Sequence, residues 1–594
     1  MSDKKSFLNY KGSQKQKSSL PRNSLVEFAS SWRIAWGKID GIEDNTAWRE
    51  GQIAIICSNP NTQIIRSHSG KFAVVGDIWL SNRLELLEKL GISANSWQGC
   101  DRQLVAQLWE RWGVECLPLL AGMFAFAVWD REGQVLRLAR DRTGARTLYY
   151  TDVGATRWIA PQQRAIAPYH SRAIDLIALR DYLCCSFVPG DRTLWQQVRE
   201  LRPGTVLSFP DELPKQAGCL SHTMSAYWEL REQVAEAEQS LEWHGARLRS
   251  LLDEIVREYL PANQPVGVFL SGGLDSSCIA ALAAKFHDRP VHTYSIHFGE
   301  ECANELEFSS LVAQHCQTQH HILEISFRDM WEKLPETMAY LDDPIGDPLT
   351  VPNLLLARMA RESVEVVLNG EGGDPCFGGP KNQPMLINSL YNSLTNLDSL
   401  PAYLISFQKC AADLPQLLKP EIWAAVKTEP SVFSADLNAS GNYLNRLMAL
   451  NIKFKGADQI LTKVNNLTQA ADLHGRSPLF DQRIVDLSMT IPPEYKLSGV
   501  VEKAVLKQAV ANLLPTQILD RPKSGMLVPV QLGFKKFWQR EAKGLLLSKK
   551  AAIAPYFNQS LIGQWLDYEG DTWGRYGVKL WLLTSLEIWL QANK

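Results

Sequence analysis

The 594-residue chain carries no apolar run near the ~18 residues a membrane span needs; stretches such as Met123–Trp129 fall far short. It has no excess of one charge. Lys and Arg number 62 and Asp and Glu 64, a net charge of −2. That balance excludes a protein built mainly to coat nucleic acid or an anionic membrane, since both need a surplus of cations. No apolar segment stands behind Met1-Ser2-Asp3-Lys4-Lys5, so no secretory signal is expected. The eleven Cys include no C-x-x-C pair and form no even disulfide frame, with Cys184 and Cys185 adjacent. Reduced thiols in a cytosolic, cytoplasmic setting are the expectation. Internal repeats and low-complexity blocks are also missing.

What is present is ordinary globular composition, 45% apolar and 21% charged, at a length for roughly two to four domains. Residues 1–24 are polar and read as a mobile tail. From 25 to 210 short strand-like runs dominate, among them Ile53–Cys57, Phe72–Val75 and Val135–Leu138, with one helical spacing at Gln103–Trp112. Met123–Trp129 is apolar throughout, as a strand buried on both faces would be. Residues 211–235 contain Pro, Gly and Lys and read as a linker. From 236 to 594 the rhythm changes. Leu241–Tyr259 has helical periodicity, and Val266–Leu270, Ser276–Phe286, Val291–His297, Phe308–His315 and His321–Ile325 alternate strand and helix. Such alternation predicts a parallel sheet covered by helices on both faces. Beyond about Pro384 the chain reads as mostly helical.

One loop stands out chemically. Val266-Gly-Val-Phe-Leu270 runs into Ser271-Gly272-Gly273-Leu274-Asp275-Ser276-Ser277, then an Ala-rich helix. Glycines at a strand-to-helix turn let the backbone approach an anion, and the helix start supplies N–H groups and a favourable dipole. The loop has no G-K-[S/T], so it is not a Walker A sequence. Asp275 beside phosphates would repel them unless it held a divalent cation, so Mg²⁺ is expected.

This stretch resembles the PP-loop of the ATP pyrophosphatases, in its asparagine synthetase form. Leu341-Asp342-Asp343-Pro344-Ile345-Gly346-Asp347, Val366-Val367-Leu368-Asn369-Gly370-Glu371-Gly372-Gly373-Asp374, Ser477-Pro478-Leu479-Phe480-Asp481 and Arg521-Pro522-Lys523 resemble further motifs of that family, in its order. The resemblance implies ATP cleavage between the α- and β-phosphates to adenylate a carboxylate. It implies Asp275 and Asp374 as Mg²⁺ ligands, and Ser271, Gly272, Gly273, Asp275, Ser276 and Ser277 around the phosphates. Phe269, Ile296 and Gly370 are implied around the adenosine, Lys523 opposite the α-phosphorus and Glu371 as a base or orienter near the acyl-adenylate. Two departures bear on the substrate. The chain reads Asp374-Pro375-Cys376 where the family reads D-E-L, and Asn465-Asn466 replaces an Asp-Arg pair.

The first domain is similar to class II glutamine amidotransferases through Asp101…Gly113, Leu120–Asp130, Ala139–Gly144 and Leu148–Tyr150. In such domains a Cys after the initiator Met is the nucleophile, its freed amine acting as base. Here Ser2 stands at that position, and the Asn-Gly-Glu oxyanion loop reads Val75-Gly76-Asp77. Cys57, in an apolar strand, is expected to be core rather than a nucleophile exposed by processing. The expectation is therefore an inactive glutaminase.

The fold expected is α/β: an N-terminal α+β sandwich of the N-terminal-nucleophile type, then a doubly wound parallel-sheet PP-loop domain with a largely helical C-terminal part. In its degenerate first domain, its length and its changed late motifs the chain resembles lasso-peptide cyclases, and the function this resemblance implies is theirs. An Asp or Glu side chain of a precursor peptide is adenylated, and the peptide's own N-terminal amine closes a macrolactam. A leader peptidase and a leader-binding protein are the partners this resemblance implies, with no nucleic acid and no membrane span. An asparagine synthetase, a β-lactam synthetase-like amide ligase and a non-catalytic scaffold remain open. Trp331, Trp423, Trp538, Trp565, Trp573, Trp581 and Trp589 are expected mostly as core, with some free to fold a peptide.

Overall fold

The computed structural model describes residues 32–39, 47–57, 63–209, 222–234, 238–379, 399–498, 501–521, 526–571 and 574–593. The expected tail at 1–24, Lys523 and Trp573 lie outside the described residues.

The first part is a sandwich of two antiparallel sheets. One holds β1 (Trp32–Gly37), β2 (Trp48–Glu50), β3 (Ile53–Cys57), β8 (Tyr149–Val153), β9 (Thr156–Ala160) and β10 (Val198–Glu200), in the order β10-β8-β9-β1-β3-β2. The other holds β4 (Ile65–Arg66), β5 (Phe72–Leu80), β6 (Gly122–Asp130), β7 (Val135–Arg140), β11 (Thr205–Phe209) and β12 (Thr223–Ala226), in the order β12-β11-β7-β6-β5-β4. The unbroken apolar text of β6 has a geometric cause. Side chains alternate across a strand. Ala125, Ala127 and Trp129 enter the inter-sheet core with Trp32, Trp36 and Phe209. Phe124, Phe126 and Val128 enter an outer core against helices Arg83–Leu90 and Asp101–Trp112.

The other sheet's outer face, with Ala35, Tyr149 and Trp158, packs on helix Leu176–Cys185. That helix belongs equally to the second part, because the same core holds Leu341, Trp581 and Trp589. Tyr182 donates to the Leu582 carbonyl at 2.9 Å, and the Trp195 and Trp589 rings lie 5.2 Å apart. Trp538 and Trp565 are core as well, and Trp331 and Trp423 pack partly buried against it.

The second part is built on five parallel strands: β13 (Val266–Phe269), β14 (Val291–His297), β15 (Gln319–Glu324), β16 (Val366–Leu368) and β17 (His474–Arg476). Their order is β15-β14-β13-β16-β17, and every pairing is parallel. The chain moves outward from β13 on one side, then returns to place β16 on the other. Such a switch point opens a crevice beyond the strand ends. The Ser271 loop after β13 and the Gly370 loop after β16 meet there.

Two expectations are corrected. Residues 211–235 are not all linker, since β12 pairs with β11 from Thr205↔Ala226 to Ser208↔Thr223 and extends the sandwich. Its exposed side chains lack the apolar alternation that marks a strand. Strand β17 was hidden in a segment read as helical, because three residues with Gly475 at the centre carry no strand period. Leu241–Tyr259 and Val291–His297 form within their expected bounds, and helix Leu274–Phe286 starts two residues early.

Trp589 also donates to the Leu341 carbonyl at 2.9 Å. Trp589→Ala should lower unfolding stability by about 3–5 kcal/mol, read from urea titration with both parts' tryptophans reporting one shifted transition.

Candidate active site

The Ser271 loop is closed on itself by hydroxyls. The Ser271 and Ser276 Oγ atoms lie 3.0 Å apart, the Gly273 N–H donates to Ser271 Oγ at 3.3 Å, and Ser276 Oγ donates to the Gly273 carbonyl at 3.2 Å. Gly273 caps helix Leu274–Phe286 without a side chain, so first-turn N–H groups face the crevice. Gly272 has φ +78°, and a Cβ there would lie 2.6 Å from the Ser309 backbone nitrogen. Only glycine fits. Ser277 is fully buried behind the loop. Phe269 lies half-buried at the end of β13, and Ile296 is buried at the end of β14.

The loop after β16 presses into this cradle. A Cβ on Gly370 would lie 2.5 Å from Ser276 N, and one on Gly373 would lie 2.2 Å from Asp275 Oδ1. Gly370 is thus packed against the start of the helix, and its contact is with Asp275 and Ser276. The close approach brings Asp275 and Asp374 to one cation. Lys503 Nζ lies 2.7 and 2.5 Å from the two Asp275 oxygens and 2.5 Å from Asp374 Oδ1. The Lys503 side chain is only 2% exposed. It stands at φ +54°, a left-handed backbone that costs a non-glycine residue ~1–3 kcal/mol, at the start of helix Ala504–Val510. The antiparallel pair Leu497–Ser498 and Val501–Glu502 and the bond from Lys503 N–H to the Lys496 carbonyl hold that conformation.

A second charged pair stands beside the first. Lys463 Nζ lies 2.6 Å from Asp347 Oδ2. Burial would push the Asp347 carboxyl up, but Lys463 and the Leu349 N–H hold it well below the usual carboxylate range. Burial would likewise lower Lys463, but the charges of Asp347 and Glu371 raise it. Glu371 is half-buried, and its N–H donates to Asn369 Oδ1 at 3.0 Å. Asn369 Nδ2 is buried with no acceptor among the described residues. The other two aspartates of the Asp342–Asp347 segment turn elsewhere. Asp342 accepts from Gln163 N and Asn466 Nδ2, and Asp343 accepts from Leu194 N, so both face the sandwich.

The structure brings the sequence-named Asp275 and Asp374 to one lysine and sets Glu371 near another, and neither Lys503 nor Lys463 was among the residues named from sequence. Lys503 lies 129 residues beyond Asp374, a separation no local pattern bridges.

The geometry can be set beside known proteins. Residues 247–591 match the asparagine synthase family model, and residues 42–218 match the glutamine amidotransferase domain. The chain belongs to the asparagine synthase family. It is 25% identical to asparagine synthetase 1 of Bacillus subtilis over 87% of this chain and 85% of that protein. A putative asparagine synthetase of Mycobacterium tuberculosis is 27% identical over 84% and 81%, and asparagine synthetase B of Escherichia coli 23% over 81% and 74%. Membership makes the protein an ATP-dependent carbon–nitrogen ligase of the AMP-forming kind, built for amidation.

The donor set fits a magnesium nucleotide. Two facing carboxylates, an uncapped helix start and a glycine cradle supply what Mg²⁺ takes when it keeps several waters and bridges to phosphates. No group of three or more His, Cys, Asp or Glu able to hold a metal alone occurs among the described residues. In the sandwich, burial pushes the Cys57 thiol up to about 11. Asp77, in the oxyanion-loop position, is ion-paired to Arg146 at 2.8 Å and accepts from Gln469 Nε2 at 3.3 Å. No described helix is long and apolar enough to cross a membrane.

Behind the site Lys496 is buried, donating to Asn445 Oδ1 at 2.7 Å, and burial lowers its ammonium to about 7. The unfolded chain keeps that proton to about 10.4. Between these values the unfolded state binds more protons, so stability rises with pH. The stability difference between wild type and Lys496→Met should therefore shift in favour of wild type from pH 7 to pH 9.5. Urea unfolding at both values checks it, and a pH-independent difference would refute it.

Proposed function

We propose that the protein is a macrolactam-forming peptide cyclase that adenylates an Asp or Glu side chain of a precursor peptide and joins it to the peptide's N-terminal amine. The observation that carries the ligase core of this reading is the convergence of Asp275, Asp374 and Lys503 on one point beside the uncapped helix start. When bound, Mg²⁺ would neutralise the pyrophosphate oxygens and hold them against Asp275 and Asp374. The Ser271–Ser277 backbone binds phosphate. Lys503, and Lys523 by family resemblance, offset charge as the carboxylate oxygen attacks the α-phosphorus and pyrophosphate leaves. Phe269, Ile296 and Gly370 are assigned to the adenosine side, and Glu371 orients the incoming amine or accepts its proton. The amine nitrogen then attacks the acyl carbon, expelling AMP. The peptide loses one water overall.

An intramolecular amine is favoured because holding both reactants together can supply about 7 kcal/mol of the barrier. Support for a substrate other than free aspartate comes from Pro375, which removes a donor and a carboxylate next to Asp374, and from Asn466, whose side chain is committed to Asp342. Asp77, held by Arg146, supports a nitrogen source other than glutamine. A leader peptidase and a leader-binding protein are the partners this reading proposes.

A second reading, amidation of free aspartate, is favoured by the relatives, which are named glutamine-hydrolysing asparagine synthetases over most of their length. One assay separates the two. With ATP, Mg²⁺ and candidate core peptides, a product lighter by one water supports the cyclase. Turnover with aspartate plus ammonium or glutamine, and none with peptide, overturns it. In either case Asp374→Ala and Lys503→Ala should each slow pyrophosphate release by about 100-fold or more. Unchanged rates would remove the carboxylate–lysine centre from the chemistry.

A further inference from the structure

Between the sandwich and the second charged pair lies an unusual helix. Tyr443–Leu450 is α-helical, Asn451–Leu461 is a π-helix, and Thr462–Gln469 is α-helical again. Eleven residues is long for a π-helix, which is mostly found as a single turn. Such a register needs support from outside the helix. Lys463 follows two residues after it. Since each α-helical residue turns ~100°, even a one-residue return to α register would swing Lys463 away from Asp347.

The support comes from the sandwich. Asp458, in the π-helix, has a side chain only 1% exposed. It accepts from the Gly190 N–H at 2.8 Å and from Arg202 Nη1 at 2.7 Å. Arg202 reaches back through Nη2 to the Lys453 carbonyl at 2.8 Å and stacks over the Phe454 ring at 5.5 Å. Gln459 Nε2 donates to Ser186 Oγ at 3.3 Å. Gly144 sits so close that a Cβ would lie 3.0 Å from that of Ala457. The sandwich thus grips the π-helix at its carboxylate, a backbone carbonyl, an aromatic ring and its small-residue face. Past Lys463, Asn466 is tied to Asp342, which Gln163 N also binds.

We infer that Arg202, acting through Asp458 and Lys453, is a positioning residue that keeps Asn451–Leu461 in π register and so aims Lys463 at Asp347 and Glu371. The sandwich then serves the ligase centre as a clamp, independently of any chemistry in its own cleft. The kinetic part of the inference rests on the ligase reading above. The structural part does not.

The test uses the full chain in three forms, Arg202→Ala, Arg202→Lys and Asp458→Asn, with the exposed pair member Arg328→Ala as control. Lysine acetylation by an N-hydroxysuccinimide ester and amide hydrogen exchange are read by mass spectrometry, without substrate. Arg202→Ala should raise Lys463 acetylation and exchange across 451–461 by about tenfold, with β13–β16 unchanged. Arg202→Lys, which keeps one contact to Asp458 and loses the bidentate reach, should fall between it and wild type. Given a working substrate, kcat should fall with the KM for ATP unchanged. If Arg202→Ala fails to fold, Arg202→Lys decides. Lys463 labelling and exchange equal to wild type in the folded variants overturns the inference. Raised labelling without ligase turnover would retain the clamp and count against the ligase reading alone.

Discussion

Two carboxylates that share a half-dry crevice need a cation between them, because like charges a few ångströms apart in a medium of low dielectric repel strongly. In this protein the ammonium of Lys503 takes that place between Asp275 and Asp374. The arrangement dictates much else. Glycine is required at 370 and 373 so that two loops can touch, and a left-handed lysine is required at 503. The strand order must set β13 and β16 side by side so that both loops leave the sheet at one edge. Each demand is met by a different stretch of sequence.

The neighbouring Lys463–Asp347 pair follows the same logic with a different supplier. Its lysine stands on a helix whose shape is set by contacts from the first domain, and its aspartate lies on a segment whose other acids, Asp342 and Asp343, are held by that domain's backbone N–H groups. Retaining a sandwich of about two hundred residues then has a mechanical rationale. Its outer helix, Leu176–Cys185, is core to both halves, so the crevice and the sandwich cannot be separated without exposing Tyr182, Trp195 and Trp589.

Much of the plan was legible in the residues. The Ser271 loop after an apolar strand announced a phosphate cradle, and alternation after Leu241 announced the parallel sheet. Asp374 and Glu371 were named through the resemblance of Val366–Asp374 to a family motif, and the structure places that motif on the turn after β16. Legibility failed where structure depends on distant partners. Lys503 looks like any helix-start lysine until the Asp275 carboxylate is placed beside it. Strand β17 is too short to carry a period, β12 is an exposed edge with no apolar face, and a π register leaves no spacing signature when most of its residues are buried. Asp342 and Asp347 occur in one motif, yet only the fold sends one to the sandwich and the other to Lys463.

The fifth parallel strand has a consequence for how the molecule comes into being. β16 ends at Leu368, but the strand that covers its far edge begins at His474, and the helix that seals the common core runs to Ala592. During synthesis the growing polypeptide emerges with that sheet edge bare for about a hundred residues, a hydrogen-bonding ladder awaiting its last rung. Closure of that edge therefore waits on sequence far downstream of β16, and a chain interrupted before residue 474 would present an open edge to its neighbours.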